Sequence, residues 1–217
     1  EGTQIPDDLI RKYATRTKPQ LVYDPQRKQD QLVLMSRVEY FGFELDREID
    51  PVREFPESLA AEARHILAQA AAREEARQVW IKKNHAAISA VREAYRRSGG
   101  ATPRLGFDEL AALYERQLAG VNSVEEFRNA RLTVNTDDFV PPEERARLSL
   151  LPDMVLIRDR EAWIDYDVEE RADGSHYGVA RLRIPEKIAR TLTESEVPVL
   201  DRPTRFTVVR GQRGAVK

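Results

Sequence analysis

The hydrophobic period of this chain changes twice. Strand-like alternation runs to about Asp50, an alanine-rich block with helical spacing follows, and alternation returns from about Asp153. Side chains repeat every two residues in a strand and every 3.6 in a helix, so each switch marks a change of element type. Strands, then helices, then strands point to an α+β fold. The expected order is a short N-terminal β segment, a helical middle of about four helices, and a C-terminal antiparallel β unit with a hairpin. The corresponding division is an arm and β segment over 1–50, a helical region over 51–150, and the β unit with a basic tail over 151–217.

In the first part, Leu21-Val22-Tyr23 reads as a short strand and Asp24-Pro25-Gln26 as a turn, with proline setting φ and the aspartate bonding the backbone. Leu32, Leu34, Val38 and Tyr40 share even positions, which predicts a strand over Gln31 to Phe43, with Gly42 marking a bulge. Asp50-Pro51 opens a connector, and Ser58 is the expected N-cap of a helix starting at Leu59. No glycine or proline then intervenes before Gly99-Gly100, so this is one long helix or two with a break near Gln69 to Glu74. Trp80, Asn84, Ile88, Val91 and Tyr95 recur at helical spacing and predict its buried stripe. Gly99-Gly100 stops the helix after Arg96 and Arg97. Further helices are expected over Phe107 to Leu118, from the capping box at Ser123 through about Leu132, and from Pro141-Pro142.

In the last third, Met154 to Ile157, Trp163 to Glu169, Val179 to Ile184 and Arg205 to Arg210 read as strands, with a short helix over Pro185 to Leu192. Asp173-Gly174 signals a hairpin. An odd loop centred on Gly174 keeps the apolar residues together and pairs Asp167 with Arg181 and Asp165 with Arg183.

Several chemistries find no support. The chain has no cysteine, which excludes disulfides and thiolate metal sites and fits a reducing, cytoplasmic setting. No apolar run approaches the length of a membrane span. His65, His85 and His176 lack the spacing of paired metal ligands, and no phosphate-binding loop or nucleophile elbow occurs. Asp153, Asp159, Asp165 and Asp167 suggest a magnesium site or an acid/base pair, as in a hydrolase using the Asp165 face, but Arg181 and Arg183 are placed to neutralise that face. No cofactor and no catalytic residue is expected.

Nucleic-acid contact has more support. The net charge is −2, so any such contact must be local. Lys82, His85, Ser89, Arg92 and Arg96 fall on one helix face at spacings of three, four, three and four. Such a face can follow a phosphate backbone, or it can be an ordinary solvated face. The tail carries Arg202, Arg205, Arg210, Arg213 and Lys217 with no acid after Asp201, and Arg210 to Gly214 has the look of an arginine–glycine segment that binds single strands. Tyr23, Tyr40 and Phe41 can stack bases, although core packing is the preferred reading.

Three collinear stretches resemble the C-terminal extension of HrpA-type bacterial DEAH-box RNA helicases. Arg27-Lys28 and Phe41-Gly42 resemble the closing strands of that family's OB-type β domain. Asn84, Arg96-Arg97, Asp108-Glu109 and Tyr114 resemble its helical segment. Pro152-Asp153, Tyr166, Asp173-Gly174 and Pro185 resemble its last strands and hairpin. The stretch from Asp50 to Gln78 and the basic tail depart from the pattern. The chain opens without methionine and reads as a piece of a longer protein. The resemblance implies a parent that hydrolyses ATP while moving along RNA. This piece lacks the motor motifs, so it is expected not to be an enzyme by itself. It would contact single-stranded RNA through Lys82, His85, Arg92, Arg96, Arg210 and Arg213, or dock on the motor domains of the same chain. The alternative is a protein–protein interaction module without nucleic-acid binding. An exposed apolar patch around Phe55, Trp163 or Phe206 would favour it.

Overall fold

The computed structural model describes Ile10 and residues 12 to 209. The fold is α+β, and the chain forms two compact units: residues 1–82 with 106–133, and residues 83–105 with 134–217.

In the first unit a four-stranded antiparallel sheet comprises β1 (Thr15–Arg16), β2 (Gln20–Tyr23), β3 (Leu32–Tyr40) and β4 (Phe43–Pro51). β3 is central and pairs with all three others, with a bulge at Val38/Glu39. The sequence signal for a bulge at Gly42 is instead a two-residue hairpin turn joining β3 to β4, with Tyr40 opposite Phe43. Phe41 and Gly42 both have positive φ, +48° and +81°, as a tight hairpin of matching twist requires. The turn before β3 is as expected, with the Gln26 amide donating to Asp24 Oδ1 at 3.0 Å.

Helix α1 (Glu57–Ala72) begins after Pro56 rather than at the expected Ser58 cap. It buries Leu67 among Ala63, Ala68, Ala70 and Ala71, and this small-residue face packs on α3 (Phe107–Gln117). The helix stops without a glycine. Glu74 takes the left-handed conformation at φ +63°, and the Glu75 amide reaches back to the Ala70 carbonyl at 2.9 Å, a Schellman-type closure. Of the two sequence readings, the broken helix is therefore the one realised. α4 (Val124–Asn129) is shorter than expected but starts at its predicted cap, the Ser123 hydroxyl accepting from the Glu126 amide at 3.0 Å. The unit's core is built from Leu32, Leu67, Tyr114, Leu118, Phe127 and Leu132.

The second unit holds α2 (Lys82–Arg97) from Lys83 onward, α5 (Pro142–Ser149), and the sheet β5 (Met154–Ile157), β6 (Arg160–Glu170), β7 (His176–Pro185) and β8 (Thr204–Val209) in that order. α6 (Glu186–Ala189) precedes β8. β5, β6 and β7 are antiparallel as expected, while β8 joins β7 in parallel and makes the sheet mixed. Ile157, Ala162, Ile164, Tyr166, Ala180, Leu182 and Ile184 form the core of its inner face. Full burial of an aliphatic side chain contributes about 2 kcal/mol each, and this face holds the sheet in register.

That register departs from the expected one in an instructive way. Asp165 lies opposite Arg181, and Asp167 opposite Val179, two residues from the predicted pairing. The faces are nevertheless as predicted, because an even offset keeps each side chain on its side of the sheet. The predicted ion pairs form as diagonals: Arg181 Nε to Asp167 at 2.9 Å and Arg183 Nε to Asp165 at 2.6 Å. Arginine is long enough to reach the diagonal neighbour.

Candidate nucleic-acid interface

α2 positions the candidate face. Its buried side is Asn84, Ile88, Val91 and Ala94. Asn84 is 2% exposed, and its Oδ1 accepts the Val134 amide at 3.0 Å. Trp80, expected on this stripe, precedes the helix and instead bridges to Leu132. The opposite side is exposed at every expected position: His85, Ser89, Arg92 and Arg96, with Lys82 as the helix's first residue. Helical spacing therefore places all five on the solvent side.

The cations differ in what they already hold. Arg92 donates Nε to the Leu105 carbonyl at 2.6 Å, and its Nη groups have no partner among the described residues. A guanidinium anchored by one nitrogen still presents its outer fork to a bidentate acceptor. Arg96 donates Nε and Nη2 to Glu93 at 3.2 and 2.6 Å, so a phosphate there must displace a carboxylate. Burial of Glu93 would raise its pKa, but hydrogen bonds from Arg96 and Arg97 outweigh this and lower it. Arg210 and Arg213 lie outside the described residues.

Arg97, next to Arg96, has a structural role. Its guanidinium stacks over the Tyr166 ring at 5.2 Å, and Arg202 stacks over the same ring at 4.8 Å. Arg97 also pairs with Asp153 and donates to the Leu151 carbonyl at 3.2 Å. Burial would lower its pKa, yet the bonds to Asp153 and Glu93 raise it. Arg202 Nη1 caps the Arg97 carbonyl at 2.8 Å, and Tyr166 donates to the Pro152 carbonyl at 2.8 Å. Burial, followed by the Asp201 charge, raises the Tyr166 pKa. Asp153, Asp165 and Asp167 are each held by an arginine. No group of three or more potential metal ligands occurs among the described residues, and no described helix is long and apolar enough to cross a membrane.

The aromatic residues divide. Tyr23 is half-buried, and burial, with the Glu75 charge, raises its pKa. Phe41 is 86% exposed, against the core-packing expectation. Phe55 is buried, but Trp163 is 60% exposed and pairs across the β5–β6 ladder with exposed Met154, while Leu156 follows on the same outward face at 67%. The sequence signal for the Phe41 turn is Gly42 between two aromatic residues, which the strand reading absorbs.

No protein-family model and no curated protein matches the chain. Among solved structures it is similar to the crystal structure of the E. coli DExH-box NTPase HrpB, at 12% identity and a TM-score of 0.35. The alignment covers 94% of this chain and 25% of that one, so the chain spans about a quarter of that protein's length.

Proposed function

We propose that this chain is a non-catalytic accessory region of a cytoplasmic ATP-dependent DEAH-box RNA helicase, guiding single-stranded RNA. The observation that carries the reading is the exposed α2 face, where the Nη groups of Arg92 have no partner among the described residues and Arg96 and Lys82 flank it along the helix. Phosphate contacts of this kind position a strand without reading its sequence. The sequence resemblance supplies the helicase context. Fluorescence anisotropy of a labelled single-stranded RNA, titrated at two salt concentrations, tests it. Micromolar binding that weakens steeply with salt is expected. Replacing Lys82, Arg92 and Arg96 together with alanine weakens it by about tenfold or more, since each phosphate contact adds to the salt-dependent term. A loss of less than about twofold sinks the RNA assignment.

A second reading is a protein-interaction module that docks on helicase motor domains. The outward Trp163–Met154–Leu156 patch favours it, because exposed contiguous apolar surface marks interaction sites. A shift in Trp163 fluorescence on adding the motor domains, abolished by Trp163→Ser, would support it. An unchanged spectrum would remove it.

A further inference from the structure

The tip of the β3–β4 hairpin carries a feature that neither folding nor the α2 face explains. Phe41 sits at φ +48°, a conformation that bulky side chains rarely adopt and that glycine, asparagine or aspartate takes readily. Burial does not hold it there, since the ring is 86% exposed. Tyr40 meets the ring edge-on, with centroids 4.8 Å apart and planes at 89°. Two aromatic walls thus stand at right angles. Tyr13, Thr15 and Glu39 complete the lining of an open pocket of about 600 Å³. The pairing of Thr15 with Glu39 fixes β1 beside β3 at this level.

The charge inside this pocket decides what it fits. The Glu39 carboxylate has no hydrogen bond or ion pair among the described residues. Arg37 and Arg47 on the same hairpin are engaged by Glu44 instead. Among the described residues the lining therefore contains three rings, one carboxylate with no side-chain partner and no cation. Among the described residues Lys12 approaches the Tyr13 ring, at 6.0 Å from its centroid, the outer reach of such a contact. Aromatic faces attract cations through their quadrupole, and a carboxylate among them adds a full negative charge. A phosphate would meet the repulsion of the Glu39 carboxylate.

We propose that this pocket is a cation cage that accepts the guanidinium or ammonium group of an arginine or lysine side chain on a partner polypeptide. Tyr40 and Phe41 give the walls, and Glu39 gives the counter-charge. The strained backbone at Phe41 is what sets its ring against Tyr40. The site is independent of the α2 face and of the RNA reading.

Two-dimensional amide NMR on the whole chain tests this, with three probes: acetyl-Gly-Arg-Gly-amide, the same peptide with neutral citrulline, and a short oligouridine. Saturable shifts at Thr15, Glu39 and Phe41 are expected with the arginine peptide, with about tenfold weaker binding of the citrulline peptide. Glu39→Gln weakens the arginine peptide by about fivefold or more, through loss of the counter-charge. Phe41→Gly suits the turn better than phenylalanine and so keeps the fold, and it weakens binding by about tenfold. Equal response to citrulline, or unchanged affinity in Phe41→Gly, overturns the proposal. So does movement of these resonances by oligouridine alone.

Discussion

The β6–β7 hairpin turns through the five residues between Glu170 and His176, and the β3–β4 hairpin through the two between Tyr40 and Phe43. Each places a glycine at φ +81°, Gly174 in one and Gly42 in the other. Around Gly174 every neighbour supports the turn. Asp173 accepts the Ser175 amide at 2.9 Å and its hydroxyl at 2.6 Å, and the Arg171 amide donates to the Ser175 carbonyl at 2.7 Å. Around Gly42 the neighbour is Phe41, strained and exposed. Residues that agree with their local conformation are explained by folding. A residue that conflicts with it, buries nothing and closes no helix is a reason to look for function.

The sharpest way to test that contrast is on the strands behind the well-supported turn. A Cβ on Gly178 of β7 would lie 2.8 Å from the Gly99 Cα, where backbone meets backbone and nothing can rotate away. Gly178→Ala is expected to lower stability by about 2–3 kcal/mol, as overpacking does, read from the midpoint of chemical denaturation. A matched pair of substitutions at the tips comes next. Gly174→Ala forces a Cβ into positive φ and costs about 1 kcal/mol, whereas Phe41→Gly relieves the same conflict and gains about as much. Equal and same-signed changes would break the comparison. The smallest effect belongs to Asp173, whose pKa is lowered by the Ser175 hydroxyl and amide. A depressed carboxylate stabilises the fold fully above its ordinary value of 3.8 and loses that contribution as pH falls below it. Wild type should therefore melt above Asp173→Asn at neutral pH, and the gap should close in acid.

Much of this architecture is legible in the sequence, because it rests on period and punctuation. The Asn84, Ile88 and Val91 positions on the buried side of α2, its stop at Gly99-Gly100, the Ser123 cap and the two faces of β6–β7 follow from spacing and capping signals, while Trp80 lies before the helix and Tyr95 is only half-buried. What escapes is whatever depends on one residue acting against its type. Glu74 ends α1 where a glycine would announce it. β4 is almost wholly exposed, with Leu45 and Ile49 set between Glu44, Asp46, Glu48 and Asp50, so no buried face declares it. The direction of β8 depends on the path after α6, which local pattern does not encode. At the candidate interface the five-residue stripe is legible, since exposure follows helical phase. The separate fates of Arg96 and Arg97 are not, because adjacent arginines differ only in what lies opposite them.

The cap on α2 also says something about time. The Arg97 carbonyl receives its hydrogen bond from Arg202, 105 residues later in the chain. On the ribosome, α2 emerges long before the residue that finishes its end, and the Tyr166 ring that Arg97 covers arrives in between. The helix can form early from local propensity, but its last turn is completed only when the final strand is delivered. Synthesis that stops short of Arg202 leaves the Tyr166 ring without its Arg202 contact and the Arg97 carbonyl uncapped, an unfinished surface of the kind that quality control engages.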